Sequence, residues 1–267
     1  MSALRQATGR AKGRAVRSVG ATVARVRRPG RDATYRPGVT VVTVNWNSLP
    51  FLRVMLDATR AMSPADTEIL VVDNDSSDGS VDYLRQRGDV RVMRLPMNVG
   101  HGVALDLAMA TVDTEHVALL DVDAFPISDR WLDESISALN DGALIAGARM
   151  HRNFVHPCFL VTRPRLLHEY GLTFRPVGSL AVSKKKAPLF FDVGEALTQR
   201  VILKFGGGQA IRYFEITSLR GPGNAGQVFG DLVYHNLWAT HGNRRGEALE
   251  VFHEAVDQYH PGLWPKG

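Results

Sequence analysis

The sequence predicts an α/β fold built on a mostly parallel central sheet flanked by helices. The chain has 267 residues, of which 45% are apolar, and this is enough for one α/β domain with a full hydrophobic core. From residue 39 onward, β-branched apolar runs alternate with helical segments, and strands separated by helices imply parallel pairing through right-handed crossovers. The loops after these strands are rich in Asn and Asp. Because such loops meet at one edge of the sheet, we expect the ligand site there.

The elements of the first half follow from apolar patterning and capping signals. β-branched runs bounded by polar residues predict strands, and apolar residues at helical spacing after a capping residue predict helices. Asp78 is the expected N-cap of the second helix. The predicted order is strand 39–44, a helix through 51–56, strand 69–72, a helix through 81–84, strand 90–95, a helix through 105–108 and strand 117–120.

The second half carries fewer signals. Residues 211–216 are predicted to form one strand, residues 227–234 form a run with strand character, and residues 248–256 are predicted to form a closing helix. The loops between about 150 and 186 have no clear pattern.

Two carboxylates follow the fourth predicted strand at alternate positions, Asp121 and Asp123. They offer hard oxygen ligands to Mg²⁺ or Mn²⁺, and such ions usually bind substrate phosphates at their remaining positions. We therefore expect a nucleotide diphosphate at this edge. Asp73, after the second strand, is placed to accept hydrogen bonds from a uracil or a ribose hydroxyl. The other polar residues of these loops are Asn45 and Asn47 after the first strand and Asn98 and His101 after the third.

Four segments, in order along the chain, resemble the successive signatures of family 2 glycosyltransferases. They are residues 41–48 (VVTVNWNS), 71–80 (VVDNDSSDGS), 98–102 (NVGHG) and 120–123 (LDVD). The resemblance covers roughly residues 38–135. It implies the nucleotide-diphospho-sugar transferase fold, called GT-A, together with a divalent metal and sugar transfer with inversion.

The resemblance also implies roles for individual residues. Asp73 would contact the base or ribose, Asp121 the ribose or the metal, and Asp123 the metal. The remaining residues of the nucleotide-sugar site would be Asn45, Asn47, Asn98, Gly100 and His101.

The catalytic base is less well defined. Members of this family usually carry a Glu-Asp pair on a later helix, whereas this chain has Glu195 followed by Ala196. Asp192 and Glu195 lie three positions apart and would share a helix face, so both are candidates, with Glu195 favoured. The same spacing is typical of a capping box, in which neither residue is catalytic.

Two histidines are further candidates. His235 comes late in the chain, where members of this fold often complete the metal or diphosphate site, and a neutral imidazole can bind a divalent metal. His156 falls in the stretch that normally faces the acceptor, so we assign it to the acceptor side. For each, a packed structural histidine is the other interpretation.

The N-terminal segment is strongly basic. The first 36 residues carry ten Lys and Arg against one acid, Asp32, which is typical of a tether to an anionic surface. We expect residues 1–37 to form a tail that is either disordered or an amphipathic helix on a membrane, with nucleic acid an unfavoured partner. One cysteine, Cys158, and the lack of a signal-peptide core or a long apolar run favour a cytoplasmic protein in peripheral contact with the inner membrane face.

These observations predict a glycosyltransferase domain over residues 38–260. Its halves are 38–135, for the nucleotide sugar, and 136–260, for the acceptor. The expected donor is a UDP- or dTDP-sugar, and the acceptor is a hydroxyl group of a glycan, a lipid-linked glycan or a natural product. Because the Gln-x-x-Arg-Trp segment of processive synthases is absent, we expect transfer of a single sugar.

Two other functions remain open. A sugar-nucleotide nucleotidyltransferase would need a Gly-rich loop with Arg or Lys after the first strand, and residues 44–50 contain none of these. A non-catalytic nucleotide-sugar-binding protein is favoured only by Ala196.

Overall fold

The computed structural model describes residues 34–177, 179–180, 189–237 and 245–264. The strands are β1 (Arg36–Asn45), β2 (Glu68–Asp73), β3 (Arg91–Arg94), β4 (Thr114–Leu120), β5 (Ala124–Pro126), β6 (Ile145–Arg149), β7 (Val155–Thr162), β8 (Ser179–Leu180), β9 (Leu189–Phe190), β10 (Ile211–Phe214), β11 (Ile216–Arg220), β12 (Gly226–Phe229) and β13 (Val233–Asn236). The α-helices are α1 (Leu49–Ala61), α2 (Ser80–Arg85), α3 (His101–Met109), α4 (Trp131–Asn140), α5 (Pro164–Glu169), α6 (Glu195–Phe205) and α7 (Arg245–Tyr259).

A seven-stranded sheet forms the centre of the fold, in the order β10-β6-β7-β4-β1-β2-β3. Strand β1 pairs in parallel with β2 and β4, and β2 pairs in parallel with β3. Strand β7 runs antiparallel to both of its neighbours, β4 and β6. A four-stranded antiparallel sheet, β11-β12-β13-β5, lies beside it. The predicted mostly parallel α/β sheet is confirmed.

The core has two layers because side chains alternate across the central strands. Val41 and Val71 pack on one face with the apolar residues of α1, α4 and α7, whereas Val42 and Val72 pack on the other with those of α3, α5 and α6. All four valines are fully buried. Strands buried on both faces read as continuous apolar runs, and this is why the sequence predicted them well.

The predicted strand 211–216 is wrong as a single element. The chain forms β10 and β11 instead, with Glu215 between them, and the two strands belong to different sheets. Strand β10 pairs with β6 in the main sheet, and β11 pairs with β12 in the second. Nothing in the local sequence indicates that the chain passes from one sheet to the other at Glu215.

The predicted run 227–234 is likewise two strands. Strands β12 and β13 form an antiparallel hairpin, and the chain reverses at Gly230 and Asp231, whose φ angles are 59° and 55°. Positive φ at consecutive residues is typical of a tight hairpin turn. His235 therefore lies within β13, not after a strand.

Asp78 is not the N-cap of α2, as the sequence predicted, but the residue immediately before it. Gly79, with a φ of 90°, is the N-cap of α2. The Asp78 carboxylate accepts hydrogen bonds from the backbone N–H of Ser80 at 3.1 Å and of Leu49 at 2.8 Å. Leu49 is the first residue of α1, so one side chain satisfies donors at two helix N-termini and holds the loops after β1 and β2 together.

The basic tail lies largely outside the described residues, so its predicted states stay predictions. Its last basic residue, Arg36, already belongs to β1 and pairs with Thr114. Among the helices of the described ranges, none has the length and apolar character needed to cross a bilayer.

Gly147 of β6 has no room for a side chain. A Cβ there would lie 2.1 Å from the Phe159 carbonyl oxygen and 2.9 Å from the Leu160 Cα, both in the backbone of β7. We expect Gly147→Ala to lower the free energy of unfolding by about 3 kcal/mol, because the two strands must separate. Gly88→Ala is the control, since nothing lies within 4 Å of its Cβ. Equal denaturant midpoints for the two variants would contradict this close packing.

Candidate active site

A cleft of about 460 Å³ opens at the carboxyl edge of the main sheet. The loops after β1, β2, β3 and β4 converge there, as expected for neighbouring parallel strands. Its lining consists of Val44, Trp46, Ser48, Asn74, Asn98, Gly100, His101, Asp121, Val122 and Asp123. The lining thus includes four of the seven residues predicted to bind the nucleotide sugar, namely Asn98, Gly100, His101 and Asp121.

The other three, Asn45, Asn47 and Asp73, are not part of the lining and bond to the loops after β1 and β2 instead. Asp73 is fully buried, and its carboxylate accepts hydrogen bonds from Asn45 Nδ2 at 3.2 Å and from the Ser76 backbone N–H at 3.2 Å. Asn47 has a φ of 51°, and its Oδ1 accepts a hydrogen bond from the Ser77 backbone N–H at 2.7 Å. Their observed contacts join the loop after β1 to the loop after β2. Direct contact of these three with a nucleotide stays a prediction.

Asp121 and Asp123 meet His235 at the end of the cleft. Strand β13 pairs with β5 so that His235 lies opposite Ala124, and Asn236 N–H donates to the Asp123 carbonyl at 2.9 Å. His235 Nε2 consequently lies 3.8 Å from Asp121 Oδ2 and 3.7 Å from Asp123 Oδ1. One ligand atom from each of the three residues lies within 4.8 Å of the others, which fits a single divalent ion.

Two more imidazoles contact Asp121. His101 Nε2 is 3.3 Å from Oδ1, and His156 Nδ1 is 3.5 Å from Oδ2. His156 was predicted on the acceptor side, yet it lies against this donor-side carboxylate because β7 runs antiparallel beside β4. Its Nδ1 accepts a hydrogen bond from the Cys158 backbone N–H at 3.0 Å. A contact of His156 with the acceptor stays a prediction.

The two buried carboxylates have pKa values shifted in opposite directions. Burial raises the pKa of Asp123 well above its ordinary value, and the neighbouring Asp121 carboxylate raises it further. Burial also opposes ionisation of Asp121, but the imidazoles of His101, His156 and His235 outweigh it, so the pKa of Asp121 lies below its ordinary value. Burial lowers the pKa of His235 to about 4. Near neutral pH, His235 is therefore a neutral imidazole with a lone pair for a metal.

Glu195 and Asp192 occupy different environments. Glu195, at the start of α6, has a side chain only 1% exposed, and its carboxylate is paired with Arg152, whose Nε lies 2.9 Å from Oε1 and whose Nη2 contacts Oε2. Oε2 also accepts a hydrogen bond from the Asp192 backbone N–H at 2.9 Å, but the N-cap of α6 is Gly194 and no side chain caps the helix, so the pair is not a capping box. Asp192 is exposed, and its charge acts on His101 at the cleft. Both oxygens of Glu195 are thus engaged, whereas the Asp192 side chain is exposed. Which of the two acts as the base stays a prediction.

The family model described as Glycosyl transferase family 2 matches residues 40–182, more than half of the chain. The chain belongs to this family. Among curated proteins, it is 27% identical over 106 residues to the putative teichuronic acid biosynthesis glycosyltransferase TuaG of Bacillus subtilis. That match covers 38% of this chain and 40% of the relative, so the matched part spans less than half the length of either.

Solved structures show the same fold. A mannosyltransferase from Pyrobaculum calidifontis, in complex with GDP-Man and Mn²⁺, superposes with a TM-score of 0.51 at 20% identity, covering 76% of this chain and 63% of that one. Glucosyl-3-phosphoglycerate synthase from Mycobacterium tuberculosis, in complex with phosphoglyceric acid, gives 0.50 at 18% identity, covering 67% of this chain and 70% of that one. The predicted GT-A fold is confirmed.

Sequence reasoning missed five residues that line the cleft of this family 2 protein, namely Val44, Trp46, Ser48, Asn74 and Val122. Two of them, Trp46 and Asn74, carry groups suited to binding a ligand. Trp46 is 46% exposed, although large aromatic residues are usually buried. Asn74, not Asp73, faces the cleft, since neighbouring residues at a strand end point to opposite sides. A tryptophan between two asparagines in a polar loop was the available signal for the first. Nothing in the local sequence distinguishes Asn74 from Asp73.

The raised pKa of Asp123 predicts that this side chain lowers the stability of the metal-free protein, although metal binding requires it. The folded state disfavours ionised Asp123, so the metal-free protein loses stability as pH rises above about 4, where this group ionises in the unfolded chain. We expect Asp123→Asn to raise the melting temperature of chelator-treated protein at pH 7.5 and to have little effect near pH 4. It should also abolish stabilisation by Mn²⁺. Thermal unfolding across this pH range measures both effects, and destabilisation by the substitution at pH 7.5 would contradict them.

Proposed function

We propose that the protein transfers a single sugar from a nucleotide diphosphate donor, a UDP- or dTDP-sugar, to an acceptor hydroxyl with inversion at the anomeric carbon. One observation carries the proposal. The cleft joins an exposed aromatic ring, at Trp46, to a carboxylate and imidazole cluster, at Asp121, Asp123 and His235. That arrangement suits a ligand with a flat base at one end and a metal-bound diphosphate at the other.

The base and ribose would lie along Trp46, Asn74 and Asn98. Asn74 Oδ1 accepts a hydrogen bond from the Val99 backbone N–H at 2.9 Å, and its Nδ2 donates to Asn98 Oδ1 at 3.1 Å. Asn98 Oδ1 also accepts from Gly100 N–H at 2.9 Å. Asn98 Nδ2 makes no hydrogen bond within the described residues, so it is available to the ribose or the base. Trp46 would stack on the base.

Asp121, Asp123 and His235 would hold a divalent ion, Mg²⁺ or Mn²⁺. The donor set fits, since two carboxylates and a neutral imidazole converge and Asp121 Oδ1 has no hydrogen-bond partner among the described residues. When bound, the ion would neutralise the departing diphosphate, a contribution of several kcal/mol. His101 and Gly100, at the start of α3, would lie beside this diphosphate.

Asp192 would act as the general base. Its exposed carboxylate would take the proton of the acceptor hydroxyl as the hydroxyl oxygen bonds to the anomeric carbon, while the bond to the diphosphate breaks on the opposite face. Glu195 would hold the turn that presents Asp192, through the hydrogen bond from the Asp192 N–H. Ala196 is 3% exposed and offers no acid, so Asp192 is the carboxylate left for this role.

The acceptor would be a hydroxyl of a glycan, a lipid-linked glycan or a natural product. The basic tail, most of which lies outside the described residues, would place the enzyme at the cytoplasmic face of the membrane by attracting anionic lipid. Liposome binding before and after deletion of residues 1–33 tests this part separately.

If Asp192 is the general base, its substitution should slow sugar transfer without weakening the binding of nucleotide or metal. We expect Asp192→Asn to lower the rate of sugar transfer about 10²–10⁴-fold, because the acceptor hydroxyl loses its proton acceptor. Nucleotide and Mn²⁺ affinity should be unchanged, since Asp192 belongs neither to the cleft lining nor to the proposed metal ligands. Release of nucleoside diphosphate, measured across a panel of candidate acceptors, reports turnover for any acceptor.

Asp66→Asn is the matched control, because Asp66 is exposed on the loop before β2. Full activity of Asp192→Asn would exclude Asp192 as the base. Donor binding by the wild type without turnover on any acceptor would instead favour a non-catalytic binding protein.

If Trp46 stacks on the nucleotide base, its ring should contribute strongly to nucleotide affinity. We expect Trp46→Ala to weaken the binding of UDP or dTDP by about 1–3 kcal/mol and Trp46→Phe to retain most of the affinity, because stacking needs only an aromatic face. Calorimetry with each nucleoside diphosphate, with and without Mn²⁺, measures this. A ligand present at about 100 times its Kd should stabilise the wild type by roughly 2.7 kcal/mol. No response to any nucleotide would overturn the proposed donor site.

A further inference from the structure

Leu203, on the last turn of α6, is the most exposed large apolar side chain among the described residues. It is 83% exposed, whereas the next in that group, Leu219, is 49% exposed. Arg200 lies three positions before Leu203, Lys204 follows it directly, and both are exposed. Residues three and four positions apart share a helix face. The outer face of α6 therefore combines an apolar side chain with two cations.

An aromatic ring extends this face towards α5. Tyr170, which directly follows α5, packs edge-on against Phe205 at a centroid distance of 5.0 Å. Tyr170 is 36% exposed, and Lys204 Nζ lies 4.4 Å from the centroid of its ring. Arg165 is exposed on α5. We call Arg165, Tyr170, Arg200, Leu203 and Lys204 the α5–α6 surface.

The α5–α6 surface is positively charged. It carries three cations, and one acid, Glu169, is exposed beside it. Within the described ranges, no carboxylate lies within 4.0 Å of Arg200 or Lys204. Cations without an acidic partner attract anionic surfaces, and Leu beside Lys and Arg is typical of protein faces that enter the lipid headgroup region. The composition thus fits an anionic membrane better than an apolar protein partner.

The basic tail meets the fold beside this surface. The Tyr35 hydroxyl is hydrogen-bonded to His168 Nδ1 at 2.5 Å, and the two rings are stacked with centroids 6.1 Å apart. The Arg165 guanidinium lies 5.6 Å from the centroid of the Tyr35 ring. Every Lys and Arg of the first 36 residues except Arg36 precedes Tyr35 in the chain. The tail and the α5–α6 surface can therefore contact the same membrane.

The α5–α6 surface and the cleft lie at opposite edges of the main sheet. Strand β1 begins at Arg36, next to Tyr35, whereas Val44, near its other end, lines the cleft. The ten residues of β1 span roughly 30 Å. Helix α6 runs between the same two edges, since Asp192 precedes its first turn and Leu203 lies on its last. A membrane at the α5–α6 surface would leave the cleft open to solvent.

We propose that the α5–α6 surface binds anionic phospholipid directly, with Leu203 among the headgroups and the three cations beside the lipid phosphates. This inference rests on the membrane contact in the proposed function, where the tail alone supplies that contact, and it is independent of sugar transfer. The tail attracts the membrane over a longer range, and the folded surface sets the direction in which the cleft opens. Two linked contacts bind more tightly than either alone, because the second becomes intramolecular.

The test measures co-sedimentation of the full chain with vesicles of phosphatidylcholine, with and without phosphatidylglycerol. We expect Leu203→Ser to weaken binding to the anionic vesicles about tenfold or more, because it removes the inserted apolar side chain. We expect Arg200→Gln combined with Lys204→Gln to weaken this binding about tenfold or more, because two charges beside the lipid phosphates are lost. Vesicles of phosphatidylcholine alone should bind each of these proteins weakly.

Matched controls make the same chemical changes elsewhere on the surface. Leu219→Ser removes an exposed leucine from β11, in the second sheet. Arg85→Gln combined with Arg130→Gln removes two arginines whose side chains are 65% and 64% exposed. Both controls should bind the anionic vesicles as the wild type does.

A second measurement locates the inserted side chain. Cys158, the one cysteine of the chain, is buried, so an environment-sensitive dye attached to the Leu203→Cys variant reports that position alone. Its emission should shift to shorter wavelength when anionic vesicles are added. The same dye on Leu219→Cys should show no shift.

Wild-type vesicle binding by the Leu203 and the Arg200 and Lys204 variants would overturn this inference and leave the tail contact intact. An equal loss in the arginine control would also overturn it, because net charge alone would then explain the binding. A dimer that Leu203→Ser dissociates in sedimentation would show that a second copy of the chain covers the surface instead. No vesicle binding by the wild type would overturn both membrane contacts but not sugar transfer, which nucleotide binding and turnover test separately.

Discussion

The parallel pairing of β1 with both β2 and β4 is the constraint on which the rest of the molecule depends. It places Asn45 beside Asp73 and brings the carboxyl ends of these strands to one edge. The hydrogen bond from Asn45 Nδ2 to Asp73, in a fully buried setting, then joins the first two loops. The cleft exists because these strands end at the same edge of the sheet.

Antiparallel additions to this parallel core complete the candidate site. Strand β7 brings His156, and the hairpin of β12 and β13 brings His235, to carboxylates that follow β4. The result is a buried cluster of two carboxylates bordered by three imidazoles. The fold therefore stores an electrostatic cost at the site, which a bound cation would relieve.

The pairing of Arg152 with Glu195 shows how the second half of the chain departs from the usual pattern of the family. Glu195 is buried and bound on both oxygens, so its charge stabilises the start of α6. Gly194 allows this helix to lie close to β7, since a Cβ there would meet the Val155 carbonyl oxygen at 2.6 Å. Removal of either partner would leave a buried charge without a counter-charge, which is strongly destabilising. Asp192 then extends from a turn that this pair holds.

The sequence by itself determined the α/β class, the approximate bounds of the strands in the first half, and the position of the carboxylates at the sheet edge. These features are visible in the sequence because the spacing of apolar residues and the polar residues at strand ends are local properties. It also indicated His235, which lies beside these carboxylates. Tertiary structure decided that Asn74 lines the cleft while Asp73 is buried, that β10 and β11 separate at Glu215, and that His156 meets Asp121. These outcomes depend on strand register and sheet membership, which are set by pairing between residues far apart in the chain and leave no local pattern.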